Sequence, residues 1–336
     1  MDWTFASDNT IGAHASIVDA IVRVNSGSVH GYGDDPYTEQ AVGLIRGLVG
    51  EQAQVSFVAT GTAANVLGMA HLLKPYDGVI CARTSHIFRD ESTAPGTFGL
   101  TLLTVETEHG KLSPDDIHGF IGSIGNPHSV QPRIVTISQS SELGTVYTAQ
   151  EIAALATVAH DAGMLLHVDG ARIANAMAHL GISLREMVTD TGVDVFTFGF
   201  SKNGAMQTEA IVILNPTLGE TLDFTVKRGM QYFSKCRFLS AQAEAMLTDD
   251  LWLINGGHAN SMASHLALGL TERANAIVTH PVQASHVFVR FGPEVVVRLK
   301  QHYEFYEWSP GEHRLLCSWK TTEEEVNRFI AIAAGD

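Results

Sequence analysis

Residues 165–172, LLHVDGAR, and 193–204, VDVFTFGFSKNG, decide the fold. Each is a short apolar run that closes on a chemically active side chain. Asp169 ends the first, and Lys202, thirty-three residues on, follows the second. Apolar runs without polar alternation are the pattern of strands covered on both faces. In open α/β sheets built from such strands, ligands bind outside the carboxyl ends. A carboxylate and an amine at two such ends therefore mark a candidate site.

The pattern extends outward. QVSFVAT at 54–60, GVICAR at 78–83, LTLLTVE at 100–106, RIVTIS at 133–138 and EAIVIL at 209–214 read as further strands. Helical segments separate them. EQAVGLIRGLVG at 39–50 has helical apolar spacing, with Gly50 as a stop. Ser113 precedes a proline and two acids, and Thr148 with Glu151 forms a capping box that opens a helix stopped by Gly163. Strands alternating with helices predict an α/β fold with a mostly parallel sheet. After about residue 240 the character changes. AMLTDDLWLINGG and SMASHLALGLTERANAIVTH read as helices around a turn, HVFVRF and HRLLCSW as strands, and TTEEEVNRFIAIAA as a closing helix. The division expected is 1–245, an N-terminal arm and large domain, and 246–336, a smaller C-terminal α/β domain.

Composition narrows the function classes. A chain of 336 residues with 45% hydrophobic content can bury a substantial core. The formal charge of −15 opposes a general nucleic-acid role. No run of eighteen apolar residues occurs, so no membrane span is expected. The acidic start MDWTFASDNT has no apolar core of a secretory leader. Cys81, Cys236 and Cys317 are far apart and form no metal motif. A reducing, cytoplasmic setting is the expectation.

The candidate site residues have a shared chemistry. Lys202, following an apolar run, can present a neutral amine to a carbonyl. Asp169 can keep a pyridine nitrogen protonated, or it can pair with Arg172. ATGTAAN at 59–65 joins a strand to a helix, and the amides near Gly61 and Thr62 can hold a single phosphate. That loop is also a plain helix start. His86 can stack on a flat ring and move protons, or serve the structure. An aldehyde-bearing ring with one phosphate, pyridoxal 5'-phosphate, needs these groups together.

SDN at 7–9, YGDDP at 32–36, TGTAAN at 60–65, SHIF at 85–88, HVDGAR at 167–172, SK at 201–202 and EHRLL at 312–316 span nearly the whole chain. Together they resemble the threonine aldolase branch of the β-eliminating lyase family, within the fold-type-I pyridoxal phosphate enzymes. DGAR followed by SK is specific for that branch, and QSSELGTVY at 139–147 resembles a bacterial low-specificity subgroup. The resemblance implies a seven-stranded type of sheet in the large domain. It assigns Lys202 to coenzyme attachment, Asp169 to the ring nitrogen, His86 to ring stacking and Gly61 and Thr62 to the phosphate. Ser7, Arg172 and Arg314 match the groups that hold the substrate carboxylate. His128 resembles a second active-site histidine beside the substrate hydroxyl, and Tyr32 an active-site tyrosine. Arg237 matches a coenzyme-site arginine.

Two departures stand out. Asp90 occupies the place of a frequent tyrosine, and Met230 that of a lysine whose charge Lys227, Arg228 or Lys235 can replace. The implied activity is cleavage of L-threonine and L-allo-threonine to glycine and acetaldehyde, without a required metal. Phenylserine cleavage, another β-eliminating reaction, and non-catalytic coenzyme binding are the alternatives. The implied partners are a small β-hydroxy-α-amino acid and further copies of this chain, with the site at a dimer interface and a tetramer as the expected assembly. RFLSAQ, beginning at Arg237, is a candidate cross-subunit element and also reads as a core helix.

Overall fold

A computed structural model describes all 336 residues. The strands are β1 (Gln54–Val58), β2 (Asp77–Ala82), β3 (Thr101–Val105), β4 (Gln131–Ser138), β5 (Leu165–Gly170), β6 (Val195–Gly199) and β7 (Glu209–Ile213). They form one seven-stranded sheet in the order β1-β7-β6-β5-β4-β2-β3. Only β7 runs against the others. The apolar runs explain this burial: every residue of β2, β5, β6 and β7 is buried. Phe196 and Phe198 are fully buried and share one face of β6, each contributing about 1.5–3 kcal/mol relative to exposure.

Helices α1 (Ala15–Val24), α2 (Pro36–Val49), α3 (Gly61–Ala70) and the short α4 (His86–Arg89) precede the central strands. The capping boxes at Ser113 and Thr148 form as the sequence requires, and a third forms at Thr322. A second sheet, in the order β10-β11-β9-β8, joins β8 (Ile277–Val278), β9 (His286–Arg290), β10 (Tyr306–Ser309) and β11 (Glu312–Leu316). All its pairs are antiparallel.

Two main cores underlie this layout. One contains the sheet face of the large unit, from Ile17 to Trp252. The other gathers Ala263 to Ala333 and also takes Phe5 from the chain start. Phe5 lies 4.7 Å from Phe329 and 5.7 Å from Tyr303, centroid to centroid. The N-terminal arm is thus packed on the C-terminal core.

The stretch expected as helices around a turn is instead one helix, Leu251–Ala274, of 24 residues. The paired glycines 256 and 257 suggested a break. A Cβ on Gly256 would sit 2.7 Å from the backbone of Ala174, so the glycine admits the helix Ile173–Leu180 at close range.

Candidate active site

Two glycines bring the ends of β5 and β6 together. A Cβ on Gly170 would lie 2.1 Å from the backbone oxygen of Thr197, and one on Gly199 would lie 2.6 Å from Cα of Ala171. DGAR and FGFSK are therefore fitted backbone to backbone. Asp169 and Lys202 project from this junction. Asp169 Oδ1 accepts from the amide of Ala171 at 2.9 Å, and Oδ2 from Asn65 Nδ2 at 2.8 Å.

Asn65, on the first turns of α3, ties the site together. Its Oδ1 accepts from Thr197 Oγ1 at 2.7 Å, and its Nδ2 also donates to Glu91 Oε1 at 3.1 Å. The same Glu91 oxygen is 2.9 Å from His86 Nδ1. His86, Glu91, Asn65 and Asp169 thus form one buried polar chain. The Glu91 bond is the main cause of a raised His86 pKa, which favours the protonated ring. Burial raises Glu91 in turn.

A cavity of about 350 Å³ opens beside this chain. Lys202, His86, Arg172, Arg314 and Ser7 all line it, so five of the residues expected at the site meet in one place. Burial, then Arg172, lowers the Lys202 pKa and favours its neutral amine. Arg172 donates from Nε and Nη2 to both oxygens of Asp8, at 2.7 and 3.0 Å. Burial opposes the Asp8 charge, but Arg172, Lys202 and Arg314 hold its carboxyl below the usual range.

Arg314 is different. Its Nε is buried and has no partner, while the guanidinium lies over Tyr306 and Trp308, at 5.4 and 5.7 Å from the ring centres. Burial and Arg172 lower its pKa. An unpaired buried cation at a cavity wall calls for an anion, and a carboxylate matches its planar fork.

The helix α3 offers a second anion position. Thr60 Oγ1 caps the amide of Ala63 and its carbonyl takes that of Ala64, which leaves the amides of Gly61 and Thr62 for a ligand. A Cβ at Gly61 would meet nothing within 4 Å, so the space before the helix is open. With the buried Lys202 amine and Asp169 on hand, these residues fit a ring carrying an aldehyde, a basic nitrogen and one phosphate.

Six expected site residues are outside that lining: Asp169, Gly61 and Thr62 belong to the strand junction and helix start just described, and three others stand apart within the chain. Tyr32 is exposed and stacks on Tyr232 at 5.4 Å, with Lys227 5.4 Å above its ring. Lys227 is therefore the cation near that tyrosine, while Met230 is exposed. Arg237 opens the helix Arg237–Leu247 and lies over Phe238 at 5.3 Å, with Nη1 buried and unpaired. RFLSAQ is helical, with Ser240, Ala241 and Gln242 buried. His128 lies farthest from the cavity of its own chain. It lies in the exposed loop before β4, whereas Ser138, at the far end of that eight-residue strand, pairs with Asp169. The strand alone separates them by roughly 23 Å. His128 cannot touch a substrate held in its own chain's cavity.

The structure also adds residues. Asp8, Asn65 and Glu91 sit inside SDN, TGTAAN and the stretch after SHIF, but their roles depend on partners far off in sequence. Glu142 and His286 line the cavity. His286 Nδ1 is buried without a partner, and burial with Arg172, Arg314 and Lys202 pushes its pKa well down. A histidine opening an apolar strand gives no sign of this.

Comparison with known proteins agrees with the geometry. Residues 4–291 match the β-eliminating lyase family. A low specificity L-threonine aldolase of Pseudomonas aeruginosa is 39% identical over 329 residues, covering 97% of this chain and 95% of that protein. The solved structure of Leishmania major threonine aldolase superposes with a TM-score of 0.93 at 30% identity, covering 98% of both chains. Aspartate aminotransferase from Thermus thermophilus, at 16% identity and a TM-score of 0.70 over 97% of this chain and 89% of that one, shares the fold alone. The architecture is that of fold-type-I pyridoxal phosphate enzymes.

Proposed function

The chain belongs to the β-eliminating lyase family, and from that premise we propose that it is a pyridoxal-phosphate-dependent, low-specificity L-threonine aldolase. It cleaves L-threonine and L-allo-threonine to glycine and acetaldehyde. One observation carries this reading: the Lys202 amine, its pKa lowered by burial, shares its cavity with the unpaired guanidinium of Arg314. An amine for a carbonyl and a fork for a carboxylate define an amino-acid site.

Lys202 would attach the coenzyme, Gly61 and Thr62 would hold its phosphate, and Asp169 would face its ring nitrogen. Bound there, the coenzyme supplies an electron sink for the pair released when Cα–Cβ breaks. The chain's own residues do the rest. Asn65 and the Ala171 amide fix the Asp169 carboxylate in place, one donor on each oxygen. His86, held by Glu91, offers a flat cationic donor. Arg314 and Arg172, with Ser7, grip and orient the substrate carboxylate. Asp8 keeps Arg172 aimed and offsets the crowding of three cations.

Tyr306 and Trp308 line the same cavity, which favours phenylserine as a second substrate. The active form is a homo-oligomer with sites at subunit contacts. The unpaired Nη1 of Arg237 and the exposed Tyr32 with Lys227, all away from their own cavity, support that assignment. The three cysteines are buried and free, which suits a cytoplasmic protein.

The four threonine stereoisomers and L-phenylserine, supplied to the coenzyme-loaded protein, test the reading. Equimolar glycine and acetaldehyde from both L-threonine and L-allo-threonine is the expected result. Comparable turnover of the D isomers, or coenzyme binding with no glycine formed, would overturn it.

A further inference from the structure

Two carboxyls without a task line this cavity, Asp90 and Glu142, and Glu142 is the one held by two neighbours. It stands in the loop after β4. Its Oε1 accepts from Ser138 Oγ at 2.6 Å and from the backbone amide of His86 at 2.8 Å. Both bonds fall on one oxygen. They fix the carboxyl and leave Oε2, which is not sealed from solvent, for the cavity shared with Lys202 and His86. Burial pushes the Glu142 pKa above the ordinary carboxylate range, against the pull of Ser138 and the His86 amide. A carboxyl tuned upward is a better base near neutral pH than a solvated one.

The other proton carriers are less suited. Glu91 holds His86 Nδ1 and raises the pKa of the ring, which favours its protonated form. His286 is a weak base, with its pKa driven down by burial and three cations. Asp90 also lines the cavity but is exposed, so water screens it more than Glu142, and His128 of the same chain is at the far end of β4.

We propose that Glu142 Oε2 is the base that takes the β-hydroxyl proton during aldol cleavage, and the acid that returns it in the reverse condensation. The O–H bond breaks and its proton passes to Oε2. The aldehyde C=O forms as Cα–Cβ breaks, and that bond's electron pair stays with Cα, where a proton later completes glycine. This role rests on the aldolase reading above.

Glu142→Gln separates the two. The amide keeps an oxygen for Ser138 and the His86 amide but cannot take a proton. In the coenzyme-loaded variant, glycine binding, read from the coenzyme absorbance, should stay within about twofold of the parent. Exchange of the glycine α-proton with heavy water, read by NMR, should persist, because it needs no hydroxyl base. Cleavage of L-threonine should fall by roughly 100- to 10,000-fold. The acid limb of kcat/KM, set by Glu142 ionisation in the parent, should vanish. Ser138→Ala removes a donor to the carboxylate, so that limb should move to higher pH.

Parent-like cleavage by Glu142→Gln overturns the assignment. So does an unmoved limb in Ser138→Ala, or loss of glycine binding and exchange together with cleavage. A parent enzyme that exchanges glycine but releases no aldehyde overturns the aldolase reading, and the Glu142 role with it.

Discussion

Asp8→Asn should loosen the cavity wall by a calculable amount. Asp8 is 5% exposed, and it is the carboxylate that receives both Arg172 bonds. Asparagine preserves shape but removes the charge, leaving Arg172, Lys202 and Arg314 without their shared anion. Removing one partner of a buried pair costs about 3–5 kcal/mol. At about 2 °C per kcal/mol for a long chain, the melting midpoint should drop by about 6–10 °C. The assay is thermal unfolding of coenzyme-free protein at fixed concentration, since bound coenzyme would itself redistribute charge here. The sign of the pH dependence is fixed by the lowered carboxyl. Its contribution is complete above the unfolded value of about 3.9 and is lost as pH falls through the lower folded value. The gap between parent and variant should therefore stay constant from about pH 5 to 8 and narrow only below about pH 4. A variant melting within about 2 °C of the parent at neutral pH would refute the reasoning, and so would a gap that widens in acid.

Other expectations follow from the same geometry. Lys202→Ala should carry no covalent coenzyme after borohydride reduction, read by intact mass; an adduct of unchanged yield would reassign the attachment point. Arg314→Lys should raise KM by about 10- to 100-fold, more than it lowers kcat, because an ammonium lacks the two-pronged match to a carboxylate. Unchanged steady-state kinetics would return Arg314 to a structural role. Glu91→Gln should lower the His86 pKa, seen in an NMR titration of the ring. The Glu91 bond stabilises the fold fully below the unfolded histidine value of about 6.5, and that contribution is lost as pH rises through the higher folded value. The variant should therefore lose stability on the acid side of that window, and an unshifted titration would contradict it.

The sheet was legible because its strands are uninterrupted apolar runs, and burial on both faces demands that pattern. DGAR and SK were legible for a related reason, since glycines at both strand ends permit a contact that no other residue allows. The helix Leu251–Ala274 was not, because a glycine needed for close packing has the same spelling as one that breaks a helix. β10 was missed since its residues, partly exposed, show no apolar run. At the site, Lys202, Asp169, His86 and Arg314 could be named from strand ends and motifs. Asp8, Glu91 and Glu142 could not, because their meaning lies in partners brought near only by folding. His128 shows a different limit: its motif says nothing of which end of the strand it stands at, and within the chain that is the end away from the cavity.

The arm that carries Phe5 has a consequence for how the protein is made. Phe5 packs on Phe329, and its carbonyl accepts from the amide of Leu316. Asp2 bonds on both sides of Tyr303, through His302 and Glu304. The arm leaves the ribosome long before the segment around Leu316 and Phe329 on which it finds its place. At about 5–20 residues per second, that interval is roughly 16 to 65 s. Ser7 and Asp8 ride on this arm, so the cavity stays open on one side throughout synthesis. The large sheet can assemble early, but a nascent chain has no finished substrate site until the arm docks on the core around Phe329.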